Sequence, residues 1–168
     1  MGRCVDSVRL LAANITGNRV RPIYEKTEDR NRERAIFQLL AKKLNCVCIT
    51  TPKLSRIDRL ICNKKGKLKA IVELKIRTNK HDAYPTYMLS AAKYKKMLSL
   101  ADALKVHALL LVRYTDKTRM VKLEKEYQLS IGGRTDRGDA QDIEECIYIP
   151  IEDFVDLDIG GNNANQET

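Results

Sequence analysis

The chain has 168 residues, 43% of them apolar, which suits one domain with a substantial core. No run of about 18 apolar residues occurs, so no helix should span a membrane. Charge is plentiful but mixed in sign, which excludes wholesale disorder. Lys and Arg number 31 against 22 Asp and Glu, a net +9, and the surplus is uneven. Residues 126–168 hold eleven acids and two bases, or −9, which leaves +18 on residues 1–125. A basic body with an acidic tail suits a polyanionic partner, most simply nucleic acid. A solvated lysine-rich surface is the alternative.

Residues 1–26 give no firm element beyond a short helix at Val5 to Ala13, and the acidic and basic residues there do not fit a signal peptide. Thr27 then precedes Glu28 and Asp29, a cap followed by acids. Ala35, Ile36, Leu39, Leu40 and Leu44 follow at helical spacing, so a helix is predicted over 28–45. Cys46 to Thr50 reads as a strand broken by Pro52. Two strands, Arg56 to Asn63 and Leu68 to Ile76, flank the turn Lys64-Lys65-Gly66-Lys67. Arg77 to Pro85 is polar and loop-like. Thr86 to Leu104 keeps a helical period. His107 to Tyr114 is continuously apolar, as in a strand buried on both faces. Arg119 to Glu124 suggests a further strand. Gly132, Gly133 and Gly138 mark a loop, Ile147 to Ile151 a short strand. One domain is expected over 1–156, with 157–168 a flexible acidic and polar tail. Five cysteines without a CxxC, and only two histidines, do not make a zinc site. With no secretory signal they suggest free thiols in a reducing cytoplasm.

Val72-Glu73-Leu74-Lys75 sets an acid and a lysine two apart on a strand, hence on one face. If Lys65-Gly66 are the central pair of a two-residue hairpin, Asp58 lies opposite Glu73, Leu60 opposite Ile71 and Ile61 opposite Ala70. Two opposed carboxylates repel unless a cation lies between them. On the helix, with 100° per residue, Glu33 falls at the edge of the apolar face and points toward the sheet.

Asp58, then Glu73-Leu74-Lys75, with Glu33 on the first core helix, resembles the PD-(D/E)XK nuclease superfamily over about residues 28–114. Glu33-Arg34 is similar to the Glu-Arg of archaeal Holliday-junction resolvases. The resemblance implies an α/β fold: an αβββαβ restriction-endonuclease-like core, a mixed sheet flanked by helices, here with a C-terminal loop and strand extension. It implies a DNA endonuclease, structure-selective in some members, using Mg²⁺ for which Mn²⁺ can substitute. Asp58, Glu73, the Leu74 carbonyl and Glu33 would hold the ion, and Lys75 would act on the water or the phosphate. Arg56, Arg77, Lys80, Lys93, Tyr94 and Lys96 would contact DNA. A homodimer is compatible with such an enzyme, as is a viral enzyme working in host cytoplasm. Ile57 replaces the proline that often precedes the Asp. Ser90 and Tyr94 have the spacing of the exonuclease Gln-X-X-X-Tyr, with Ser for Gln. An exonuclease of the same superfamily and a non-catalytic nucleic-acid-binding module are the alternatives.

Overall fold

The computed structural model describes residues 27–52, 55, 57–133 and 143–160. Helix α1, Thr27–Lys43, opens with Glu28 and Asp29 and closes on Lys42 and Lys43, charges that complement the helix dipole at both ends. The Thr27 side chain, expected to cap it, lies outside the described residues, as do Arg56 and the short helix expected near the N-terminus. Strands β1 (Val47–Thr50), β2 (Arg59–Cys62) and β3 (Leu68–Ile76) follow.

Leu60 pairs with Ile71 and Ile61 with Ala70, the register expected. The turn that produces it is different. Gly66 donates to the Asn63 carbonyl and has φ +79°, so Lys64-Lys65 are the central pair and Gly66 takes the left-handed position after them. This longer loop displaces the pairing by one, to Cys62 with Leu68. A bulge between Ile61 and Cys62 restores it.

The expected helix over Thr86–Leu104 is a strand and a helix. Thr86–Ser90 forms β4, burying Tyr87 and Leu89 alternately, and pairs with β8 (Ile143–Pro150). Helix α2 spans Ala91–Leu104, with Ser90 at its cap accepting from the Lys93 N–H. Strand β5 (His107–Arg113) runs parallel to β3, and β6 (Thr118–Lys122) antiparallel to β5. Strand β7 (Gln128–Gly133), which occupies ground expected to be loop, pairs with β8. A Cβ on Gly132 would lie 2.8 Å from Met88 Sδ and closer still to the Tyr148 hydroxyl, so the ends of these two side chains fill the space that the glycine leaves. Val155–Asp156 forms β9.

The strands make a six-stranded mixed sheet, β1-β2-β3-β5-β6-β9, and a three-stranded sheet, β4-β8-β7. Two apolar clusters cover the large sheet. Ile36, Phe37 and Leu40 of α1 pack with Ala70, Val72, Leu74 and Leu111. Ala91, Tyr94, Met97 and Ala101 of α2, with β4 and β8 residues, pack with Ile71, Leu110 and Val112. Leu157 and Ile159, expected in the tail, pack with the α1 cluster, and Ile159 is buried. The described cysteines are free thiols, and burial, then the neighbouring Cys46, pushes Cys48 up to about 12. No described helix is long and apolar enough to cross a membrane.

Candidate active site

Successive residues of β3 alternate between the two clusters. Val72 and Leu74 face α1, so Glu73 and Lys75 face α2. Glu73 stands in register with Leu110 of β5 and is 1% exposed. A carboxylate buried so deeply in a central strand is costly unless it is paired. The pairing is double. Lys75 Nζ donates to Glu73 Oε1 at 2.7 Å, and Lys93 Nζ of α2 lies 2.7 Å from Oε2. Burial works against the Lys75 charge, but Glu73, with Asp58 behind it, outweighs burial and raises Lys75 above its ordinary value.

Asp58 precedes β2, where the paired ladder begins at Arg59 with Val72. Its N–H donates to the Val72 carbonyl, and its Oδ2 accepts from the Leu74 N–H at 2.7 Å. Thr51 Oγ1 donates to the Ile57 carbonyl at 2.5 Å, and its main-chain N–H lies 3.4 Å from the Asp58 carbonyl. Burial, then the charge of Glu73, raises the Asp58 carboxyl above its ordinary value; the Leu74 N–H, Lys75 and Lys93 oppose this and lose. The repulsion between the two carboxylates is only partly offset by Lys75 and Lys93. The donor set is carboxylate oxygen, which suits a hard divalent ion such as Mg²⁺. Glu73 Oε2 is buried against Lys93 Nζ, so an ion bound there would share this oxygen with the ammonium or displace it.

Glu33 does not join them. It belongs to α1, on the sheet face opposite that of Glu73, and its Oε2 lies 3.8 Å from Arg59 Nη2. Among the described residues Glu33, Asp58 and Glu73 do not bring three ligand atoms within 4.8 Å of one another. The helical wheel located Glu33 correctly at the rim but could not say which face of the sheet α1 would cover.

The other expected residues separate. Lys93 sits against Glu73, half-buried, while Lys80 and Lys96 are exposed. Arg77 is exposed, with its guanidinium 5.0 Å from the centre of the Tyr87 ring. Tyr94, expected with the lysines at the nucleic acid, is turned into the core. It is 8% exposed, its hydroxyl donates to the Lys125 carbonyl, and its ring meets Tyr127 edge-on. Residue 94 is three after Ala91 and three before Met97, on the buried side of α2. Ser90, at the position of the exonuclease Gln, donates to Glu144 at 2.6 Å and caps α2.

Two groups escaped the sequence reading. Arg59 follows Asp58 directly, and only its position on the α1 face marks it. Asp116, 35 residues from His81, is the other: His81 reads as a loop histidine after the Glu73 strand, but nothing local marks its partner. The His81 ring Nδ1 contacts Asp116 Oδ2 at 2.6 Å and the His81 main-chain N–H donates to Oδ1 at 3.1 Å, tying the loop after β3 to the turn after β5. Burial works to raise the Asp116 carboxyl, but these His81 bonds outweigh it and hold it below the ordinary Asp value. A carboxylate lowered in the folded state stabilises above its unfolded pKa and loses that contribution as pH falls through the folded one. Asp116→Asn should therefore lower the melting temperature at neutral pH, by an amount that shrinks below the ordinary Asp range. A deficit constant down to strong acid would contradict this origin.

A family profile described as phage putative PDDEXK endonuclease matches residues 19–157. The chain belongs to this family. The matched segment contains Glu33, Asp58, Glu73, Lys75 and Lys93, and the coarse function is that of a nuclease. No curated protein matches the chain. Among solved structures, a Holliday junction resolvase, Hjc, from Archaeoglobus fulgidus is similar. The TM-score is 0.49 at 14% identity, over 76% of this chain and 89% of that one. This family member keeps the helix, three-strand, helix, strand order expected from its sequence, with β4 inserted before α2.

Proposed function

We propose that the protein is a divalent-metal-dependent DNA endonuclease whose active site is Asp58, Glu73 and Lys75, with Lys93 beside them. The observation that carries this is Glu73, 1% exposed and held between two ammonium groups at 2.7 Å, with a second carboxylate, Asp58, tied to the N–H of the next residue, Leu74, at 2.7 Å. A strand needs one cation to neutralise one buried acid. Two acids and two lysines gathered at one place suit chemistry that moves negative charge.

Asp58, Glu73 and the Leu74 carbonyl would hold Mg²⁺ or Mn²⁺, which supplies Lewis-acid polarisation of the phosphate and activation of water. Lys75, its charge secured by Glu73, donates from Nζ to the phosphate oxygen that gains charge during displacement, or orients the attacking water. Lys93 neutralises Glu73 and offers a second ammonium to the phosphate. Arg77, Lys80 and Lys96 stand exposed nearby in sequence and hold the backbone of the DNA. The Asp58 N–H bond to Val72 and the Leu74 N–H bond to Asp58 fix the carboxylate before substrate arrives.

The test is nicking of supercoiled plasmid. Relaxed and then linear DNA should accumulate with Mg²⁺ or Mn²⁺ and stop with EDTA. Cleavage undiminished in EDTA would overturn the metal requirement, and release of mononucleotides from free ends without nicking would favour the exonuclease.

A further inference from the structure

Arg59 carries no part of the Asp–Glu-X-Lys pattern, yet it touches what holds the site in place. It lies on the α1 face of the sheet, where its side chain is 12% exposed. Nη1 donates to the Asp58 carbonyl at 2.8 Å. Nη2 lies 3.8 Å from Glu33 Oε2, and Cζ lies 4.7 Å from the centre of the Phe37 ring. Phe37 is one helical turn beyond Glu33 and buried. The planar guanidinium is thus held by a carboxylate and a ring from one helix, while its other nitrogen grips the main chain of the residue that carries the site's first carboxylate.

We propose that Arg59 is a positioning residue, a strut from Glu33 and Phe37 of α1 to the Asp58 main chain, which fixes Asp58 against Glu73. The inference rests on the metal-site reading above, and it gives Glu33 a role that its place on the opposite face allows. Glu33 is the counter-ion that orients the strut. The Asp58 carbonyl is held by Arg59 Nη1, with the Thr51 main-chain N–H 3.4 Å away on its other side. Its N–H is held by Val72 and its carboxylate by the Leu74 N–H. Removing one of these restraints loosens the distance between two carboxylates that repel each other. A lysine cannot replace the arginine, because a single ammonium has no rigid fork to reach both partners while lying over a ring. At 12% exposure, the side chain presents little of its charge to DNA.

Partners that orient metal ligands typically cost about 10–100-fold in metal affinity or activity when removed. The experiment measures three quantities on the full chain of wild type, Arg59→Lys, Arg59→Gln, Glu33→Gln and the double variant Arg59→Lys/Glu33→Gln. They are the Mn²⁺ dissociation constant by calorimetry, kcat and KM on plasmid DNA, and the melting temperature without metal. Arg59→Lys, which keeps the charge and the aliphatic stem, should fold. It should bind Mn²⁺ about 10–100-fold more weakly and lose kcat in proportion, with KM for DNA unchanged. Adding Glu33→Gln should then cost little more, since both changes release one strut. An unchanged Mn²⁺ dissociation constant in both Arg59 variants would overturn the proposal, whatever happens to the melting temperature. So would a rise in KM alone, which is the mark of a DNA contact, or full additivity with Glu33→Gln. If the wild type binds Mn²⁺ but does not cleave DNA, the nuclease reading fails, while weaker binding by Arg59→Lys still upholds the strut. A wild type that binds no divalent ion refutes both.

Discussion

Asp58→Asn should abolish metal-dependent cleavage and at the same time make the metal-free protein more stable. Burial and the charge of Glu73 raise the Asp58 carboxyl, so the fold disfavours its anion. An acid raised in the folded state costs stability above its folded pKa, and that cost vanishes below its unfolded one. At neutral pH the cost is present in full. Asparagine removes the charge while its side-chain oxygen can still accept from the Leu74 N–H. A gain of about 0.5–2 kcal/mol is the usual scale for relieving a strained site. In a chain of this size each kcal/mol is worth roughly 2–4 °C of melting temperature. The gain should fade as pH is lowered toward the ordinary Asp range, where wild-type Asp58 also becomes neutral. Saturating Mg²⁺ should reverse the order, because an ion bound only by the folded wild type stabilises it. A structural Asp58 would behave oppositely: the substitution would cost stability and Mg²⁺ would not matter.

Leu110→Ala should destabilise the protein by about 2–5 kcal/mol, a large share of a total on the order of 5–15. Leu110 is fully buried in β5, in register with Glu73, and packs in the cluster under α2. Its strand is hydrogen-bonded on both sides, to β3 and β6, so the backbone cannot collapse into the cavity left behind. The melting temperature should fall by roughly 4–20 °C. Urea unfolding should show a lower midpoint with the slope unchanged. A loss below about 1 kcal/mol would mean that this part of the core is more loosely packed than the structure shows.

Much of the central sheet was legible because its residues are chemically unambiguous. Leu68–Ile76 has the bounds expected of the strand after the Lys64–Lys67 turn, and β5 reads as a strand because every residue from Ala108 to Val112 can be buried. The β2–β3 register was reached through a wrong turn. A two-residue loop was expected, a three-residue loop is found, and the bulge at Ile61 and Cys62 cancels the difference. β4 was hidden because five residues of alternation run directly into a helix of similar composition. What makes Thr86–Ser90 a strand is β8, more than fifty residues away. β7 was hidden by its glycines, which read as loop until Tyr148 and Met88 occupy the space beside Gly132.

At the candidate site the spacing of Glu73 and Lys75 was readable, since a period of two fixes their common face. The approach of Lys93 was not, because it depends on how α2 docks. The side taken by Glu33 was not, because a helix wheel gives an angle around the helix and not the sheet face it meets. Arg59 was overlooked for the same reason. Its neighbour Asp58 carries the motif, but alternation turns Arg59 toward α1, where Glu33 and Phe37 wait for it.

The most direct measurement is the nicking of supercoiled plasmid by wild type and Asp58→Asn side by side, each with Mg²⁺ and with EDTA. Nicked and linear product should form in one of the four reactions, wild type with Mg²⁺, and the plasmid should stay intact in the other three while both proteins remain folded. Equal cleavage by the variant with Mg²⁺, or by the wild type in EDTA, would contradict the metal-site reading.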